Sequence, residues 1–128
     1  MSLELMVFVP DSAPTEPDDF FDWFDDQTEW DEDHSYRDPK VAAPPLQAWF
    51  KAVSARFPVL GVKRQTEYDT EYSIGREMIH AVFPRGNEEA VRELVFDQAS
   101  IHRLGVFEAS SEDGAIWWPD ARGTFHRR

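Results

Sequence analysis

The sequence predicts an α+β domain: a mostly antiparallel sheet of about five strands with about three helices, in the order strand, helix, helix, strand, strand, helix, strand, strand. Three observations predict it. Short apolar runs are bounded by proline, glycine or polar turns. Three longer stretches repeat apolar residues at helical spacing. Two pairs of strand-like runs are separated by turn residues, one of them Asp113–Gly114. The helices are expected to cover one face of the sheet.

Taken in order, Leu3 to Val9 is an apolar run ended by Pro10 and reads as a buried strand. Pro17 is suited to the first turn of a helix running to about Thr28. Thr15 or Glu16 would cap it, Asp18 and Asp19 would favour its positive end, and Phe20, Phe21 and Phe24 would form its inner stripe. Residues 30–43 show no clear period and read as loop. Pro44 and Pro45 open a second helix with an inward stripe of Leu46, Trp49, Phe50, Val53 and Phe57, stopped by Pro58 and Gly61. Residues 61–70 are polar connection. Glu71 to Phe83 is a hairpin turning at Gly75–Glu77. Asn87 would cap a third helix with Val91, Leu94, Val95, Gln98 and Ile101 on its inner side, ended by Gly105. A second hairpin joins Val106–Ser110 to Ala115–Trp118. Trp117 and Trp118 must then point to opposite faces. Residues 1–120 are expected to form one domain, with 121–128 a polar, partly basic and flexible tail.

Charge is distributed very unevenly. The chain of 128 residues has a net charge of −12. Between Asp11 and Asp38 twelve acids face one base, Arg37, so this stretch carries −11; the remaining 13 acids and 12 bases nearly cancel. Such a field repels nucleic acid and anionic membranes and attracts basic protein surfaces. Aromatic residues sit among the acids. Trp23 and Trp30 are seven apart, hence on one side if the helix continues. An aromatic anchor ringed by charge suits a binding hot spot. The expected partner-binding set is therefore Asp18, Asp19, Asp22, Trp23, Asp25, Asp26, Glu29, Trp30, Asp31, Glu32 and Asp33. The competing reading makes Phe20, Trp23 and Phe24 core and the acids a solvated face.

Signals for catalysis are weak. There is no cysteine, which removes disulfides, thiolate metal sites and cysteine nucleophiles. Asp25 to Asp33 lacks the glycine and the spacing of a calcium loop. His34, His80, His102 and His126 show no metal-ligand spacing. Ser73 lacks the flanking glycines of a nucleophile elbow, although a triad is spatial rather than sequential. The six glycines are scattered singly, so no phosphate-cradling loop is present, and the basic pairs Lys63–Arg64 and Arg127–Arg128 are isolated. The expectation is a non-enzyme with no cofactor and no metal. The N-terminus reads as a strand rather than a signal peptide, and no apolar run approaches the ~20 residues that span a bilayer. The expected compartment is the cytoplasm.

Several stretches together carry a resemblance. They are Leu5-Met6-Val7-Phe8 with Pro10 and Pro14, Asp22-Trp23 with Thr28-Glu29-Trp30, Tyr72-Ser73-Ile74-Gly75, and a closing Phe107, Gly114, Ile116, Pro119 and Asp120. The chain resembles small acidic bacterial immunity proteins, which neutralise secreted antibacterial toxins such as those of type VI secretion systems. The resemblance implies a cytoplasmic protein inhibitor, and it carries no catalytic residue. Independently, an acidic surface with aromatic anchors suits the basic active-site cleft of a toxin acting on nucleotides or nucleic acid. The alternatives are a small hydrolase using Asp and Glu residues and a regulatory protein-interaction module.

Overall fold

A computed structural model describes residues 3–61 and 67–127. It holds β1 (Leu3–Phe8), α1 (Pro17–Gln27), α2 (Pro44–Ser54), β2 (Glu71–Ile74), β3 (Met78–Phe83), α3 (Glu88–Ile101), β4 (Gly105–Phe107), β5 (Ile116–Pro119) and β6 (Phe125–Arg127). The six strands form one sheet in the order β2-β3-β1-β4-β5-β6 with antiparallel neighbours throughout. This is the α+β class predicted, with one strand more. The basic pair Lys63–Arg64 and the terminal Arg128 lie outside the described residues.

The helices do not share one face. Leu5, Val7, Ile79, Ala81, Phe83 and Val106 pack with Leu46, Trp49 and Val53 of α2 and Val91, Val95 and Ala99 of α3. The alternate residues Met6, Phe8, Met78, Phe107, Ile116 and Trp118 pack with Phe20 of α1 on the opposite side. The cause is visible in β1. Its run Leu5-Met6-Val7-Phe8 has no polar position, and a strand alternates its side chains, so both faces must be covered. α1 supplies the second cover.

The tail is corrected too. Residues 121–127, expected to be flexible, turn back and end in β6, which pairs with β5. Asp120 makes the turn by accepting from the N–H groups of Arg122 and Thr124 at 2.8 and 3.0 Å. The hydrogen bond from His126, followed by these backbone bonds, holds the Asp120 carboxyl down to about 2. Phe125 then meets Phe96 of α3 with ring centroids 5.2 Å apart. Trp117 joins the same side, and Trp118 goes to the α1 side.

Helix ends differ in detail from expectation. Asn87 and Glu16 are N-caps, but neither side chain bonds to its helix. α2 ends at Ser54, before Phe57. Gly105 does not end α3. The helix stops at Ile101, Arg103 takes φ 57°, and Leu104 N–H returns to Ala99 O at 2.9 Å. Gly105 instead opens β4 beneath Phe8, where a Cβ would overlap the Phe8 ring. Gly105→Ala is therefore expected to destabilise the fold by about 1–3 kcal/mol, as overpacking does. Phe8→Leu should relieve part of that cost. Urea denaturation of both single variants and the double variant checks it, and simple additivity would place the overlap elsewhere.

Candidate protein-binding face

α1 is the element that divides apolar from acidic residues. Phe20 is fully buried, and Trp23 and Phe24 are half-buried beside it. Phe20 meets Phe8 at 5.0 Å and Phe107 at 5.4 Å between centroids, and Trp23 meets Phe8 at 6.1 Å. With that stripe facing the sheet, Asp18, Asp19, Asp22, Asp25 and Asp26 are turned to solvent, and Glu29 and Asp31 are exposed just beyond. None of these seven carboxylates forms an ion pair among the described residues.

Four of the expected contact residues have internal partners. Trp23 belongs largely to the α1-side core. Trp30 lies beyond the end of the helix at φ 56°, a conformation that costs a bulky residue free energy. Its ring is held against Tyr36 at 5.0 Å and His80 at 6.4 Å. Glu32 and Asp33 tie the loop to the β2–β3 turn. Glu32 accepts from the Arg76 backbone N–H at 3.3 Å and pairs with the His34 ring, while Asp33 pairs with Arg76 at 3.3 Å. The Glu32 hydrogen bond raises the His34 pKa above its ordinary value.

Phe21, in sequence a member of the inner stripe, is instead 37 % exposed. Phe20 and Phe21 are adjacent, hence about a hundred degrees apart around the helix, and both cannot face the centre of the sheet. That geometry was the available signal. Phe21 rests its ring on Phe107 at 5.8 Å and lies against Gly114 of the β4–β5 loop. This loop brings exposed Glu112 and Asp113, the latter paired with Arg127 at 3.4 Å. The exposed aromatic ring thus stands between two acidic elements.

His80 Nε2 lies 3.3 Å from Glu4 Oε1, and burial pushes the imidazole pKa down against the opposing pull of Glu4. Ser73 pairs with His80 across β2 and β3, but among the described residues no side-chain hydrogen bond joins them. The rings of Phe24 and Trp30 lie beside His80, each 6.4 Å away. Glu108, nearly buried, is engaged by Arg92 and by Trp117 Nε1 at 2.9 Å. Among the described residues, no group of three or more His, Asp or Glu side chains could hold a metal ion. No helix of the described residues is long and apolar enough to cross a membrane.

Comparison with protein-family models, curated proteins and solved structures finds no match.

Proposed function

We propose that this protein acts by binding a basic protein partner on the solvent face of α1, and that the partner is a toxin which it neutralises. The observation that supports a docking face is the set of exposed carboxylates along α1 that form no ion pair among the described residues. Like charges three and four residues apart on a helix repel, as in Asp18 with Asp22 and Asp22 with Asp26. Asp25 and Asp26 also sit at the negative end of the helix, whose last turn has no base. A basic partner would offset both costs. The sequence resemblance to bacterial immunity proteins supplies the class of partner, and the acidic face would occupy a basic cleft in the toxin. Within that face Phe21 is the anchor best placed to enter the partner, because Trp23 and Trp30 are committed to packing.

The test is protection. A basic protein captured on the immobilised parent should arrest growth when produced alone, and co-production of the parent should restore growth. Phe21→Ala should leave the fold intact and speed dissociation, costing about 2 kcal/mol of binding. If the captured protein is harmless, or if protection does not depend on the α1 face, the proposal fails.

A further inference from the structure

The outer edge of β2 holds a second feature, separate from the acidic face. In the β2–β3 ladder, Gly75 N–H donates to Met78 O at 2.8 Å, so 75 with 78 and, two residues on, Ser73 with His80 are the hydrogen-bonded pairs. The intervening residues Ile74 and Tyr72 turn their main-chain groups outward. Two chain segments cover that edge. Ile74 N–H donates to Tyr36 O at 2.8 Å. At the other end Thr70 N–H donates to Pro58 O at 2.8 Å, Thr70 O accepts from Leu60 N–H at 2.9 Å, and Val59 bridges Thr70 in parallel. Tyr72 lies between these two points of contact. Its outward N–H and C=O meet neither segment. Tyr72 lines a cavity of about 240 Å³ together with Tyr36, Arg37, Val59 and Leu60.

We propose that this gap is a binding site for the side-chain carboxamide of an asparagine or glutamine presented by a partner peptide. One donor and one acceptor lie side by side on Tyr72, and a planar primary amide offers the complementary acceptor and donor. A carboxylate would satisfy the N–H but set its second oxygen against the C=O. A guanidinium would leave the N–H without an acceptor. Strand addition, the usual way to satisfy an open edge, is blocked because Tyr36 and Pro58–Leu60 already lie where the added strand would run. A group entering end-on fits the gap. Val59 and Leu60 supply an apolar rim for its methylenes, with Leu60 41 % exposed. Because Tyr72 itself is 6 % exposed, its main-chain groups, which have no partner among the described residues, gain more from one than those of an open edge.

The experiment is a nitrogen-15 amide titration of the whole protein with N-acetyl-glutamine-N-methylamide, alongside the glutamate and methionine counterparts. The glutamine probe is expected to move the Tyr72 amide resonance saturably and to slow its hydrogen exchange about fivefold, as one net hydrogen bond would. The other two probes share its backbone amides and should do neither. Val59→Phe, which fills the gap, should abolish the shift. Leu60→Trp serves the same purpose at an exposed position if Val59→Phe does not fold. No saturable change at Tyr72, equal changes with all three probes, or a shift that survives a folded gap-filling variant would each overturn the proposal.

Discussion

Trp49→Ala is expected to cost about 3–5 kcal/mol of folding stability, the range for truncating a large aromatic in a packed core. Trp49 is 1 % exposed, and it sits in α2 between the sheet and α3. Its indole Nε1 donates to Val95 O at 3.2 Å, so the ring also fixes α2 against α3. Removing it leaves a cavity between α2, α3 and the sheet. A domain of this size has roughly 5–15 kcal/mol in total, so the variant should melt far below the parent. Phe50, the neighbouring aromatic, is only half-buried, with its ring 5.0 Å from Tyr72. Phe50→Ala should therefore cost clearly less. Thermal and urea denaturation of the two variants decides this. Equal losses would mean that burial does not rank these positions.

Neutralising Asp22, Asp25, Asp26 and Glu29 to Asn or Gln is expected to have opposite effects on stability and on binding. The free protein should gain stability. Removing the two carboxylates at the negative end of α1 contributes about 0.3–1 kcal/mol each, and fewer like-charge pairs add to that. Partner association should slow, because a concentrated field steers a basic surface and raises association rates by about 10–10³-fold. A bystander surface would show the gain in stability without the loss in binding. Denaturation and binding kinetics on the same variant separate the two.

The sequence carried the element order because the local signals were strong. Proline at 17 and at 44–45 opened the helices, Gly75–Glu77 turned the first hairpin, and Asp113–Gly114 lay in the loop of the second. What it did not disclose was three-dimensional. The side of the sheet taken by α1 depends on β1 being apolar at each position from Leu5 to Phe8, a run that signals burial without saying what covers each face. β6 depends on the Asp120 turn and on Phe125 meeting Phe96, contacts with no local period. Gly105 looked like a helix stop because its role, making room for Phe8 across the sheet, is between strands. At the candidate face, the exposed aspartates followed from helical spacing. The removal of Glu32 and Asp33 into pairs with His34 and Arg76 did not, because Arg76 arrives from a distant hairpin turn.

If the α1 face is a docking surface, its charge must show in the rate at which the partner associates. Stopped-flow rates for the captured basic partner should be measured with the parent and the four-residue neutral variant at about 0.1 M and about 1 M salt, where the Debye length falls from about 10 to about 3 Å. Association is expected to be at least about tenfold slower for the variant at low salt, with the difference largely gone at high salt. Equal rates at both salt concentrations, with protection intact, would contradict it.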